Sequence, residues 1–208
     1  MQLGKDLVHM KLYQIHASGN CYRIRLMLSL LGRTSQLVEV DHENGELRTD
    51  WFRTLNPLGE APVLVDGVLC LRDSQAIITY LARAYGAPHW LPQAAEEMAR
   101  IQQWLSFAAN EIQYGPRLAR AIVLYGIAGD IGEARARAAR VLGILDAHLG
   151  NREWLETQLP TVADVACYPY VSHAADAKLD MLAYPNLNRW LRRIEALEGF
   201  IELNERPS

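Results

Sequence analysis

Apolar and polar positions change pattern often between about residues 10 and 85, then settle into a helical period for the rest of the chain. "MKLYQI", Met10 to Ile15, is a short apolar run of strand length, whereas Ile24, Leu28 and Leu31 recur at helical spacing and stop at Gly32. "QLVEV", residues 36–40, is a second strand candidate. Residues 46–55 are polar and irregular, with room for a short helix, and end in the turn signal "NPLG". "APVLVDGVLCL" holds two apolar runs parted by Asp66 and Gly67, a pair that suits a tight hairpin because both accept positive φ. In "RDSQAIITYLARAYG", Asp73 and Ser74 are helix-capping residues, Ile77, Leu81 and Ala84 form a buried stripe, and Gly86 is the stop.

After "GAPHWLP" no convincing strand remains. Residues 93–124 carry a long helical pattern, with a kink expected at Gly115 and Pro116 because proline lacks the amide donor and its ring clashes with the preceding turn. Residues 131–149 form a second helix closed by Gly150 and Asn151. "PTVADVACYPYVSHAA" opens a third, in which Thr161 and Asp164 are spaced as a capping box, and "NLNRWLRRIEAL" is a fourth. The pattern predicts β-α-β, a short helix, a hairpin and a helix, followed by an all-helical half, without internal repeats.

Composition narrows the function classes. At 208 residues, half of them hydrophobic, the chain can bury one large core or two small ones. A net charge of −3 without any basic run argues against nucleic-acid and anionic-membrane partners, which require clustered cations. No apolar stretch is long enough to span a bilayer, and "MQLGKDLVH" lacks the apolar core of a secretory signal, so a cytoplasmic location is expected. Residues 1–9 read as a leader or extension that precedes the first strand. The three cysteines, Cys21, Cys70 and Cys167, lie too far apart for a zinc ribbon, and the histidines show no ligand spacing, so no metal is expected.

The order of motifs, "SGNCYRIRL" after the first strand, "NPLGEAPVL" before the hairpin, "DSQAIITYL" opening the third helix and "TVADV" in the helical half, resembles the glutathione transferase family across the chain from Met10. The resemblance implies a thioredoxin-like α/β glutathione-binding domain over residues 10–85, a linker over 86–92 and an all-α domain over 93–208. It implies a detoxification-type transferase that uses glutathione as cosubstrate and assembles as a homodimer. Surplus apolar residues Met98, Ile101, Trp104, Leu105 and Phe107 on the helix from about Pro92 fit such an interface. Its second substrate is a small electrophile or peroxide, or a disulfide if the chain is instead a glutathione-dependent oxidoreductase. A non-catalytic glutathione-binding protein is the remaining alternative.

Physical chemistry assigns parts to these residues. A thiol becomes a better nucleophile near a helix N-terminus or a cation, where its pKa falls. Ser18 and Asn20 sit where a strand feeds a helix, able either to cap that helix or to donate to the glutathione sulfur. Cys21 holds the second position of a thioredoxin-like motif whose first cysteine is replaced by Ser18, and it is either a small core residue or a redox participant. Family resemblance implies a cis bond between Ala61 and Pro62, with the Ala61 backbone against the cysteinyl part of glutathione. It also implies that Asp73 and Ser74 receive the γ-glutamyl end at a helix N-terminus. Glu60 departs from the family, where an amide or cation reaches the glycine end, so Arg48 or Arg53 must serve instead or glutathione binds weakly. Asn110, Gln113, Tyr114 and Arg117, at i, i+3, i+4 and i+7, share one helix face and are candidates for the second-substrate pocket.

Overall fold

The computed structural model describes residues 10–203, so the predicted leader at 1–9 lies outside the described residues. Four strands form one mixed sheet in the order β2-β1-β3-β4. Strand β1 (Met10–Gln14) pairs parallel with β2 (Gln36–Glu39) and antiparallel with β3 (Val63–Asp66), which returns through Gly67, at φ 59°, into β4 (Leu69–Arg72). The parallel pair requires a crossover, supplied by helix α1 (Gly19–Leu30). A single 3-10 turn at Glu46–Arg48 and helix α2 (Asp50–Leu55) fill the irregular stretch, and α3 (Ser74–Tyr85) follows the hairpin. This is the thioredoxin-like arrangement expected from the sequence. One predicted stripe position moves: Ile77 and Leu81 are buried in α3, but Ala84 is exposed and Ile78 takes its place.

The rest is helical: α4 (Ala95–Phe107), a π-helical segment (Ala108–Arg117), α5 (Leu118–Tyr125), α6 (Ile131–His148), α7 (Val162–Ser172) and α8 (Pro185–Glu195). The interruption expected at Gly115 and Pro116 is a stretch of wider i→i+5 turns rather than a simple kink. A wider turn tolerates the missing Pro116 amide, and Gly115 lets α6 come close, since a Cβ there would lie 3.2 Å from the Ala138 backbone nitrogen. Three residues expected to supply a surplus apolar surface, Ile101, Trp104 and Leu105, are buried in this chain's own core. Only Met98, at 39 % exposure, and the half-buried Phe107 remain outward, which corrects that part of the sequence argument.

One continuous core joins sheet and helices, running from Leu12, Ile24 and Ile77 to Ile112, Val165 and the fully buried Trp190. Helix α1 is its spine, packed on α3 on one side and α7 on the other. The Tyr22 hydroxyl donates to the Ile201 carbonyl at 2.7 Å, which ties α1 to the end of the described chain. Among the described residues, no helix is long and apolar enough to cross a membrane.

Candidate active site

Three local features converge beside the sheet. The first is the start of α1. Ser18 is its N-cap, extended at φ −77° and ψ 121°, and its hydroxyl oxygen accepts from the Cys21 amide at 3.4 Å. Gly19 follows because the ring of Tyr170, on α7, passes so close that a Cβ would lie 2.5 Å from it. The Tyr170 hydroxyl oxygen accepts from the Asn20 amide at 3.2 Å, and burial raises the tyrosine pKa against the pull of Arg23 and Arg117.

The second is the turn before β3. Asn56 is buried, and its side-chain amide donates to the Glu60 carbonyl at 2.6 Å while its oxygen accepts from the Leu58 amide at 3.1 Å. That clamp holds the turn leading into the Ala61–Pro62 bond, which is cis.

The third is the start of α3. Asp73 sits at φ 73°, a conformation that strains any residue with a Cβ and that persists where the surroundings enforce it. Its carboxylate accepts from the Gln75 and Ala76 amides, both at 2.9 Å, so Asp73 alone is the cap. Ser74, expected to share that task, is instead buried, and its hydroxyl oxygen accepts from Arg23 at 2.5 Å.

These features meet at a polar cleft of about 80 Å³ lined by Asn20, Asn56, Leu58, Glu60, Ala61, Pro62, Arg72, Asp73 and Ser74, with Ser18 and Cys21 outside the lining. Six of those nine were singled out from the sequence. Two helix N-termini at one cleft favour an anionic ligand, because their free amides carry partial positive charge. Arg72 is the cation in the lining, while Arg48 and Arg53 lie outside it. Asn110, Gln113, Tyr114 and Arg117 are absent from the lining as well. The π-helical turns break the 3.6-residue spacing on which their common face depended, leaving Asn110 and Tyr114 exposed. Arg117 alone is linked to the site, through its charge acting on Tyr170.

Of the two readings of Cys21, its surroundings favour the core one. It has no exposed surface, its sulfur accepts from the Ile15 amide at 3.3 Å, and burial raises its pKa. A thiol held neutral and out of solvent is a core residue rather than a nucleophile. Besides the lining residues Asn56, Leu58 and Arg72, two residues behind the cleft escaped the sequence reading. Arg23 is fully buried and spans from the cleft to α7, where its Nε donates to the Ala166 carbonyl at 3.1 Å. An arginine between the apolar Tyr22 and Ile24, three residues after Asn20, was the available signal. Tyr170 offered none, since it lies 150 residues from its partner. Among the described residues, no cluster of three His, Cys, Asp or Glu side chains could hold a metal ion.

A thioredoxin-like sheet followed by a helical unit, with a polar cleft at two helix N-termini, defines the class of glutathione-dependent transferases. The glutathione S-transferase N-terminal domain matches residues 12–89 and the C-terminal domain residues 116–198. A probable maleylacetoacetate isomerase of Vibrio cholerae is 31% identical over 92% of this chain and 93% of its own, and glutathione S-transferase 3 of Zea mays is 30% identical over 92% and 91%. Among solved structures, a possible glutathione S-transferase from Rhodopseudomonas palustris superposes with a TM-score of 0.85 at 31% identity, covering 96% of this chain and all of that one. A glutathione transferase homologue from Drosophila mojavensis, solved with bound glutathione, gives 0.83 at 25% identity over 92% of this chain and 89% of that one. The chain belongs to the glutathione S-transferase family, and it is a glutathione-dependent transferase.

Proposed function

We propose that the polar cleft binds glutathione and that Ser18 and Asn20 donate to its thiolate, activating it for attack on a small electrophile or a peroxide. The observation that carries this reading is the convergence of six sequence-singled residues on one cleft at the starts of α1 and α3. The Asp73 and Ser74 end receives the γ-glutamyl carboxylate and amino groups, and the Ala61 backbone meets the cysteinyl part. Arg72 supplies the cation at the cleft that Glu60 does not. The Ser18 hydroxyl accepts from its own helix yet keeps its proton to give, which is what a thiolate donor requires. Conjugation then proceeds by attack of the sulfur on the electrophilic carbon, with the leaving group departing as an anion.

A disulfide-reducing reading through Cys21 loses support from the burial of that sulfur. Among the second-substrate candidates we keep Arg117, whose charge acts on Tyr170. Domain limits of 10–85, 86–92 and 93–208, a homodimer and a cytoplasmic location complete the proposal. The exposed Met98 on α4 is available to a two-fold interface. Retention on immobilised glutathione, with turnover of a chloronitrobenzene or a hydroperoxide exceeding that of a small mixed disulfide, is the expected result. Retention without turnover of any of the three would make the chain a glutathione-binding protein, and a monomer mass by light scattering at micromolar concentration would remove the dimer.

A further inference from the structure

The Arg23 guanidinium occupies an unusual position. It is fully buried, its pKa is lowered by burial, and among the described residues it makes no ion pair. A single nitrogen, Nη1, donates both to the Asn20 amide oxygen at 3.1 Å and to the Ser74 hydroxyl oxygen at 2.5 Å, while Nε holds the Ala166 carbonyl of α7. Two cleft residues on different helices therefore share one cationic donor.

This sharing fixes the polarity of both side chains. An asparagine can present either its oxygen or its NH2 group to a ligand, but only the oxygen can face a guanidinium. With Oδ1 committed to Arg23, Asn20 has only Nδ2 to offer the cleft. Ser74, accepting through Oγ, likewise retains its hydrogen as the group it can give. Both residues become donors, which suits an anionic ligand and opposes a cationic one. Burial of the cation is offset in part by the Asp73 carboxylate at the start of α3, and an anion arriving in the adjacent cleft offsets it further.

We infer that Arg23 is a positioning residue of the transferase site: it sets Asn20 and Ser74 as donors and supplies buried positive charge that favours the glutathione anion over the neutral thiol. The inference rests on the reading that Asn20 and Ser74 face glutathione. Lysine at this position keeps the charge but loses the planar fork that serves three acceptors at once.

The test is titration of the bound glutathione thiol, followed by its ultraviolet thiolate absorbance, in the parent, Asn20→Ala, Arg23→Lys and the double variant. Arg23→Lys is expected to raise the thiol pKa by about one unit, and the double variant to rise little beyond the larger single effect, because both changes remove the same donor. If Arg23→Lys titrates like the parent while Asn20→Ala is shifted, Arg23 is merely structural and the inference fails alone. If Asn20→Ala itself titrates like the parent, the underlying assignment of Asn20 falls and takes the inference with it. Should Arg23→Lys not fold, the cycle of Asn20→Ala with Ser74→Ala asks the same question without touching the arginine. Bound-thiol pKa shifts that sum to more than the double-variant shift support a shared donor, and shifts that add overturn it.

Discussion

The starts of α1 and α7, two helices that pack on each other, are both capped N-termini, yet their hydrogen-bonding capacity is used differently. At α7 every polar group is spent inside the chain. Thr161 and Asp164 form a complete capping box, and the Asp164 carboxylate also accepts from the Leu155 amide at 3.0 Å and the Trp190 indole at 2.8 Å. At α1 the donors are left over: the Ser18 hydroxyl accepts once, Asn20 is bonded through its oxygen, and both keep protons to give. A saturated helix start holds the fold together, and an unsaturated one beside a cleft is where a ligand is received. The same capping chemistry serves stability in one place and binding in the other.

Breaking the saturated end should have the largest effect. Asp164→Ala strips four donor contacts of a common acceptor in a site with 1 % exposure, and about 3–5 kcal/mol of stability should be lost, seen as a fall in denaturation midpoint. The thiol pKa of bound glutathione in the fraction that stays folded should not move. A variant that melted like the parent would erase the distinction between the two helix starts.

Ser74→Ala sharpens the comparison at α3. Asp73 keeps the cap, but the buried Arg23 loses an acceptor, so stability should fall by about 1–3 kcal/mol, while the KM for glutathione should rise about tenfold, with turnover at saturating glutathione nearly kept, if the γ-glutamyl contact is equal in ground and transition states. Arg72→Gln should raise the same KM by about threefold, less than Ser74→Ala because an exposed charge is screened. The smallest effect concerns pH. Burial lowers the His173 pKa below its ordinary 6.5, so the unfolded chain binds the proton more readily and stability is fully present above 6.5 and declines as pH falls through that value. Replacing His173 with Gln should flatten that acid slope slightly and leave the region above neutrality unchanged. An identical slope would show that other groups set it.

Much of this was legible in the sequence because it is local. The Thr161-x-x-Asp164 spacing, the Asp66-Gly67 turn and the Asp73 cap are each written within a few residues, and the structure contains all three. The glutathione motifs were legible as a set because their order was preserved. Features that depend on distant packing were not. The π-helical turns over 108–117, where Gly115 lies close to α6, are not visible in a 3.6-residue reading, and the common face drawn for Asn110, Gln113, Tyr114 and Arg117 rested on that reading. Arg23 stands out only as a charge between the apolar Tyr22 and Ile24, and its partners appear when α3 and α7 close around it. Cys21 shows the reverse difficulty, since a motif-like spacing suggested chemistry that its complete burial denies.

The central claim is that the unspent donors at the start of α1 belong to a thiolate, and titration of the thiol in the glutathione complex tests it most directly. Loss of one charge-assisted hydrogen bond costs about 1.5–3 kcal/mol, so Ser18→Ala and Asn20→Ala should each raise the bound thiol pKa by about one to two units with little change in glutathione affinity. Cys21→Ser should leave the titration in place. Contradiction would come from unmoved titrations in both Ser18→Ala and Asn20→Ala, together with activity lost in Cys21→Ser.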